Sequence, residues 1–197
     1  DDVDFLMTLA DTLANDYNIM PDELFFTGFS NGAGMSFRTA CEHSDRITAI
    51  APVSNLMAST FTCNPQIPVA VLSIIGDEDP ILPLSGGDLY YWDMPLGSVL
   101  SLDNTLAIWH DVNDCDGYSE SVDMPDTDPN DETTISQTDA LECEQPISSI
   151  IIHGGGHTWA GSPLYMSIEE FGRTSNDIDA GELIFDFFDK VGLAADS

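Results

Sequence analysis

The chain has 197 residues, of which 43% are hydrophobic, enough for one folded domain with a sizeable core. Its 35 acidic residues against 4 basic ones give a net charge of −31, which is typical of a highly soluble or salt-adapted surface. Because no cluster of Lys and Arg is present to contact phosphates, we expect neither nucleic acid nor a membrane surface as a partner.

Hydrophobic residues in the first half of the chain predict helices that alternate with buried strands. A helix with one apolar face comes first, and the sequence Pro21-Asp22-Glu23 ends it before a short apolar strand. The later strands are apolar throughout, which is typical of a mostly parallel sheet with helices on both faces. These elements are a helix at 3–17, a strand at 24–27, a helix at 30–41, and strands at 47–53 and 69–75.

The second half of the chain continues this pattern around an acidic segment. A helix is predicted over Leu102–Asn113. Between 115 and 143, two weakly alternating segments flank a strong turn signal at Pro125–Asp131, so we expect an acidic hairpin excursion rather than a separate domain. A buried strand at 147–152 and an amphipathic helix at 178–191 then complete a single α/β domain over 1–197.

A GxSxG sequence, Gly28-Phe29-Ser30-Asn31-Gly32, lies between the first predicted strand and the helix that follows it. In a nucleophile elbow the serine occupies a strained turn, and the flanking glycines let strand and helix approach closely. The N-terminus of the following helix also presents backbone N–H groups to a developing negative charge. A glycine-rich turn that only joins strand to helix is the alternative, but the context favours Ser30 as a nucleophile.

A serine nucleophile needs a base, and the base needs an acid that orients it. In folds with this elbow the three follow in the order Ser, Asp or Glu, His, each after a later strand. The strand at 69–75 leads into Gly76-Asp77-Glu78-Asp79-Pro80, and the strand at 147–152 leads into His153-Gly154-Gly155-Gly156-His157. We therefore predict Ser30, Asp79 and His157 as the catalytic residues.

Neighbouring residues compete for two of these roles. Asp77 and Glu78 are close enough in sequence to replace Asp79, although the proline after Asp79 fixes a turn there. His153 competes with His157, but it falls nearer the strand, where a structural histidine is the commoner interpretation.

Two further patterns raise the question of a metal. His153 and His157 have the i, i+4 spacing that suits zinc on a helix, but the three glycines between them disfavour a helix. The turn at Asp126–Asp131 resembles the start of an EF-hand, but it lacks the glycine at the sixth position and has Gln137 where the twelfth-position glutamate belongs. We predict neither a bound metal nor a cofactor.

Three segments of the chain resemble the polyhydroxybutyrate depolymerase-like esterases, a group that includes the feruloyl and acetylxylan esterases of carbohydrate esterase family one. They are Gly28–Gly32, Gly76–Pro80 and Gly154–Gly161, and the last is the most specific. The resemblance extends over 1–192, with Ala160 in place of a usual proline. It implies an α/β-hydrolase fold and a secreted serine esterase acting on polyester or plant polysaccharide esters. It also implies the nucleophile, acid and base predicted above.

The start of the chain departs from this family. Family members begin with several strands and a His-Gly-containing loop that supplies half of the oxyanion hole, and no such loop precedes residue 1 here. The resemblance therefore implies that this chain is the C-terminal two-thirds of its domain, lacking the N-terminal strands, with the backbone N–H of Asn31 as one oxyanion donor. A catalytically silent binding module is the alternative, and a peptidase or acyltransferase on the same residues is a third reading.

The four cysteines, Cys41, Cys63, Cys115 and Cys143, lack the CxxC spacing of zinc knuckles. Of the three possible connectivities we predict Cys41–Cys63 and Cys115–Cys143, positions at which the family often carries disulfides. The first bridge would tie the helix after the GxSxG serine to the segment before the acid, and the second would close the acidic hairpin. Each could stabilise the fold by about 3 kcal/mol. Two bridges imply an extracellular location, whereas four reduced core thiols are the alternative.

Overall fold

The computed structural model describes residues 1–17, 19–20, 23–163 and 167–195, so the predicted helix break at Pro21-Asp22 lies outside the described residues. The predicted helices and buried strands are present, with ends shifted by a few residues. The elements are α1 (Asp2–Asp16), β1 (Leu24–Phe29), α2 (Asn31–Glu42), β2 (Ile47–Val53), β3 (Ala70–Gly76), β4 (Gly87–Tyr91), β5 (Met94–Val99), α3 (Leu102–Val112), β6 (Gly117–Tyr118), β7 (Val122–Asp123), β8 (Thr134–Leu141), β9 (Ile147–His153), α4 (Ile168–Phe171) and α5 (Ala180–Ala195).

The main sheet has the strand order β1-β2-β3-β9-β8-β6, and β7 also pairs with β8. Strands β1, β2, β3 and β9 run parallel, whereas β8 is antiparallel to β9. Because the carboxyl ends of parallel strands lie at one edge of a sheet, the loops after Phe29, Gly76 and His153 meet there. The predicted α/β fold with a mostly parallel sheet is confirmed.

Helices cover both faces of the sheet. On one face α2 and α3 pack together, and the rings of Phe37 and Trp109 lie 6.2 Å apart. On the other face α5 buries Ile184 and Phe188, and the Phe188 ring lies 5.1 Å from that of Phe25. Alternate residues of the central strands enter these two cores, which explains why the strands are apolar throughout. None of the helices in the described part of the chain is long and apolar enough to cross a membrane.

Two segments differ from the sequence-based expectation. An unpredicted two-stranded hairpin, β4–β5, lies between β3 and α3 and leaves Tyr90, Trp92 and Met94 exposed. The segment at 115–143 forms the expected hairpin, since β7 and β8 pair antiparallel across the predicted turn, but it is not an excursion, because β6, β7 and β8 join the main sheet. Strand β8 pairs with β9 through backbone hydrogen bonds, which the weak side-chain alternation of this segment does not reveal.

Both predicted cysteine pairs are disulfides in the structure. Cys41 at the end of α2 is bonded to Cys63 in the loop before β3, and Cys115 after α3 is bonded to Cys143 after β8. No free cysteine is found among the described residues. The first bridge ties the end of α2 to the loop before β3, and the second ties the segment after α3 to the segment after β8.

Candidate active site

Ser30 lies at the turn between β1 and α2 in a conformation that residues with a Cβ rarely adopt. Its φ is 54° and its ψ is −117°, and it occupies the N-cap position of α2 without a capping bond from its side chain. Its backbone N–H donates to the carbonyl of Val53 over 2.9 Å. Its carbonyl accepts from the side-chain amide of Asn55 over 2.8 Å. These bonds to the end of β2 and the loop after it hold the strained turn, as expected for a nucleophile elbow.

The first glycine of the GxSxG sequence has a steric role that the second does not share. A Cβ added to Gly28 would lie 2.4 Å from the carbonyl carbon of Gly32, so no larger residue fits at position 28. A Cβ added to Gly32 would meet nothing within 4 Å. The close approach of β1 to α2 therefore depends on Gly28 and leaves the Ser30 side chain at the carboxyl edge of the sheet.

His157 lies between Ser30 and Asp79, in the loop after β9. Its Nε2 is 2.8 Å from Ser30 Oγ, and its Nδ1 is 2.7 Å from Asp79 Oδ2. The His157 side chain is 6% exposed, and that of Asp79 is fully buried. Since a carboxylate can only accept, Nδ1 carries the proton toward Asp79, and Nε2 accepts the hydroxyl proton of Ser30. The Ser30 oxygen thus has a proton acceptor in place.

Asp79 is held in one orientation by the backbone that follows it. Its Oδ1 accepts hydrogen bonds from the N–H groups of Ile81 and Leu82, both over 2.8 Å. These two bonds hold the carboxylate in one orientation and leave Oδ2 for His157. The turn at Asp79-Pro80 therefore positions the side chain as well as ending β3.

The competing residues have other partners. Asp77 Oδ2 is 2.7 Å from His153 Nδ1, so the second carboxylate and the second imidazole pair with each other. Glu78 extends to Arg173, with 3.6 Å between Oε2 and Nη1. The structure thus brings together Ser30, Asp79 and His157 and directs the two other carboxylates elsewhere.

Two contacts that position Ser30 and His157 were not predicted from the sequence. Asn55, which supports Ser30, follows a strand that ends at the same sheet edge, and this position is the signal that could have identified it. The backbone N–H of His157 donates to the carbonyl of Phe171 over 2.6 Å, and the chain there is so close that a Cβ on Gly156 would lie 2.0 Å from that carbonyl oxygen. A contact between α4 and a glycine loop leaves no pattern in the sequence.

A cleft of about 680 Å³ opens onto Ser30 and His157. Asn31, the first residue of α2, also lines it, and its backbone N–H makes no hydrogen bond to another described residue. The walls of the cleft come from the start of α1, from α2, from the loops after β2 and β3, and from the β4–β5 hairpin. They combine apolar side chains with three charged ones, Asp2, Arg38 and Glu42. The apolar lining residues of the cleft are Met35, Leu56, Ala58, Phe61, Ile81, Leu82, Leu89, Leu96 and Val99.

Metal-binding side chains do not converge at this cleft. Within the described ranges, no group of three or more His, Cys, Asp and Glu side chains is arranged to hold a metal ion. In the acidic turn, Asp131 and Asp177 instead accept hydrogen bonds from backbone N–H groups of Thr133, Asn176 and Thr127. These carboxylates therefore shape the loop that precedes β8.

The chain is similar to several curated proteins, although no protein-family model matches it. It is 30% identical to a Nocardia uniformis subsp. tsuyamanensis protein named "Putative esterase NocK", over 94% of the chain and 56% of that protein. It is 29% identical to Feruloyl esterase C of Emericella nidulans, over 83% of the chain and 52% of the relative. Feruloyl esterase B of Piromyces equi is 25% identical, over 80% of the chain and 29% of the relative. The chain thus spans about half the length of the first two relatives.

Proposed function

Because the chain is related to a feruloyl esterase-like group and has the α/β-hydrolase fold, we propose that it hydrolyses carboxylic esters through a covalent acyl-enzyme. In this mechanism Ser30 is the nucleophile, His157 is the general base and acid, and Asp79 orients the imidazole. The observation that carries the proposal is the unbroken hydrogen-bonded chain from Ser30 Oγ through His157 to Asp79, at a strained strand-to-helix turn.

Acylation follows from the geometry of these three side chains. Ser30 Oγ attacks the ester carbonyl carbon while His157 Nε2 takes the hydroxyl proton, and the carbonyl π electrons move onto oxygen. The buried Asp79 carboxylate stabilises the imidazolium that forms. When the tetrahedral intermediate collapses, the bond from carbon to the alcohol oxygen breaks, and His157 gives its proton to the departing alkoxide.

Deacylation repeats these steps with water as the nucleophile. His157 Nε2 takes a proton from a water molecule as the water oxygen attacks the acyl carbon. The second intermediate expels Ser30 Oγ, which recovers its proton from His157. One water is consumed for each ester, and the products are an alcohol and a carboxylic acid.

The backbone N–H of Asn31 is the proposed donor to the developing oxyanion. Asn31 begins α2, and the first N–H groups of a helix have no acceptor within the helix. The positive end of the helix dipole favours negative charge at this position. A single donor of this kind contributes about 3 kcal/mol to transition-state stabilisation in serine hydrolases.

A neutral ester with an apolar or aromatic acyl group suits the cleft. Apolar side chains form much of its lining beside the charged Asp2, Arg38 and Glu42, and the net charge of −31 repels anionic substrates. Since several relatives are named feruloyl esterases, we favour a feruloyl ester of a plant polysaccharide, with a polyhydroxyalkanoate ester as the second candidate.

An extracellular location completes the proposal. The structure contains two disulfides, Cys41–Cys63 and Cys115–Cys143, and disulfides persist in oxidising compartments. The high negative charge also suits a protein that stays dispersed near an insoluble polymer.

Hydrolysis of p-nitrophenyl butyrate and methyl ferulate tests the proposed mechanism. We expect Ser30→Ala and His157→Ala to lower kcat by at least about 10³-fold, and Asp79→Asn to lower it by on the order of 10³- to 10⁴-fold. The first two remove the nucleophile and the base, and the third removes the carboxylate that orients the imidazole. Glu78→Gln is the matched control for Asp79→Asn, since it neutralises the adjacent carboxylate, which does not contact His157. Turnover by Ser30→Ala at the wild-type rate would exclude the serine mechanism, and wild-type protein that binds but never hydrolyses these esters would indicate a binding module.

A further inference from the structure

The two loops that carry Asp79 and His157 also carry a second hydrogen-bonded chain of the same composition. His153 Nδ1 is 2.7 Å from Asp77 Oδ2, and His153 Nε2 is 2.8 Å from Ser136 Oγ on β8. Asp77 precedes Asp79 by two residues, and His153 precedes His157 by four. The second chain thus joins the same two loops at their bases, where β3 and β9 end.

The hydrogen-bonded set Asp77, His153 and Ser136 lacks the exposed, strained turn and the helix N-terminus that would make Ser136 a nucleophile. Ser136 is 6% exposed and lies within β8, with a backbone φ that is not positive, unlike that of Ser30. Strand β8 continues to Leu141, so no helix N-terminus follows Ser136 to stabilise an oxyanion. The role of this second set of hydrogen bonds must therefore lie in the two loops that it joins.

The loop that carries His157 has little rigidity of its own. Three consecutive glycines, Gly154 to Gly156, separate the end of β9 from His157, and Gly154 has a φ of 75°. Glycine has the largest conformational freedom to lose on folding, so a run of three needs external contacts to hold one conformation. Because reaction rates fall steeply when reacting groups are misplaced by about 1 Å, the position of this loop matters for His157.

The Asp77 carboxylate supplies such contacts from the opposite loop. Its Oδ1 accepts the backbone N–H of Gly154 over 2.8 Å while its Oδ2 pairs with His153. Two backbone bonds run alongside, from Asp77 N–H to the carbonyl of Ile152 and from Glu78 N–H to that of Gly155. One carboxylate thus joins the segment leading to Asp79 to the start of the glycine loop.

We propose that Asp77 and His153 are positioning residues that hold the His157 loop against the Asp79 loop. The role rests on the proposed function, because it matters for turnover only if His157 acts on Ser30. The bond to Asp77 carries the effect, since it connects the two loops, whereas Ser136 only supports the far side of the imidazole. Asp77 and His153 act through Asp79 and His157 and make no contact with the reacting atoms.

Substitutions of His153 separate its two hydrogen bonds. His153→Asn places an amide N–H near the Nδ1 position and keeps the bond to Asp77, whereas His153→Ala removes it. We expect His153→Ala and Asp77→Ala to lower kcat about 10-fold with KM nearly unchanged, and His153→Asn to retain kcat within about 2-fold. Ser136→Ala is the control that removes only the far bond, and it should also stay within about 2-fold. The His153 side chain is 44% exposed, so these variants are expected to fold.

Amide hydrogen exchange of residues 152–158 gives a readout that is independent of ester turnover. We expect faster exchange in His153→Ala and Asp77→Ala than in wild type, His153→Asn or Ser136→Ala, because the glycine loop opens more often. The positioning role is wrong if His153→Ala keeps wild-type kcat and exchange, or if His153→Asn loses as much as His153→Ala. A wild-type protein without esterase activity would overturn the proposed function alone, and the exchange comparison would still decide whether the two residues hold the loop.

Discussion

Ser30 has a backbone conformation that only its surroundings make stable. At φ 54° and ψ −117° any Cβ is crowded, and such a residue costs on the order of 1–3 kcal/mol. The bonds from Val53 and Asn55 oppose this strain. A residue held this way points to function, because an unstrained turn would serve equally well to join β1 to α2.

Two substitutions of Ser30 measure this strain separately from the loss of the hydroxyl. Ser30→Gly and Ser30→Ala both remove Oγ and should both be inactive, but only glycine relieves the crowding around Cβ. We expect the free energy of unfolding, measured with urea, to be about 1 kcal/mol higher for Ser30→Gly than for Ser30→Ala. This is the net difference, because the strain that glycine relieves exceeds the additional entropy that glycine loses on folding.

Ser36, within α2, provides the matched control for this pair. There the backbone is helical, so Ser36→Gly should be less stable than Ser36→Ala by about 1 kcal/mol. The same order of stability at both positions would show that the Ser30 backbone is not strained.

The sequence identified the residues of the candidate site but could not assign every partner among them. The strand ends and the order Ser, Asp, His predict which loops meet, since those follow from the parallel sheet. Which carboxylate meets which imidazole depends on two local features. The N–H groups of the turn after Asp79 donate to its Oδ1 and hold that side chain in one orientation, and the glycine loop separates His153 from His157. These are local backbone geometries with no periodic pattern.

At the level of elements, burial on both faces is what made strands predictable. Strands β2, β3 and β9 enter both cores and so read as apolar runs. The β4–β5 hairpin is exposed on most of its residues, and β8 has polar residues along its length, so neither shows such a run. Backbone pairing with β9 determines that β8 belongs to the sheet.

The acidic loop between β7 and β8 contains a carboxylate that opposes folding. Partial desolvation and then the charges of Asp177, Asp131 and Asp128 raise the pKa of Asp126. An acid whose pKa is raised in the folded state stabilises the protein below its unfolded pKa, and this contribution is lost as the pH rises through the folded pKa. Ionised Asp126 is therefore unfavourable at pH 7.

Asp126→Asn should consequently raise the melting temperature at pH 7, with the advantage disappearing below about pH 3, where aspartates are protonated. Asp88→Asn on β4 is the matched control, because it removes one charge from an exposed side chain outside the acidic loop. Equal stabilisation by both variants would mean that total charge, and not the neighbours of Asp126, is responsible.

For the whole molecule, the main electrostatic feature is that it has few basic side chains to pair with its many carboxylates. Arg38 pairs with Asp1 and Glu42, and Arg173 pairs with Glu132, with N–O distances between 2.6 and 2.9 Å. These pairs are largely exposed, and exposed ion pairs contribute about 0–1 kcal/mol each. With 35 acidic residues against 4 basic ones, most carboxylates have no cation to pair with, and their mutual repulsion opposes the compact state.

Added salt should therefore stabilise this protein at pH 7. Raising NaCl from 0.01 to 0.2 M shortens the Debye length from about 30 Å to less than about 10 Å, which screens repulsion across the surface. We expect the melting temperature to rise by about 4 °C, the shift produced by roughly 1–2 kcal/mol in a chain of this size, with little further change above 0.2 M. Near pH 4.1, the isoelectric point calculated from the sequence, the same salt increase should have almost no effect, because the net charge is then close to zero. A melting temperature that falls with salt at pH 7 would show instead that the few ion pairs, which salt weakens, outweigh the repulsion among the carboxylates.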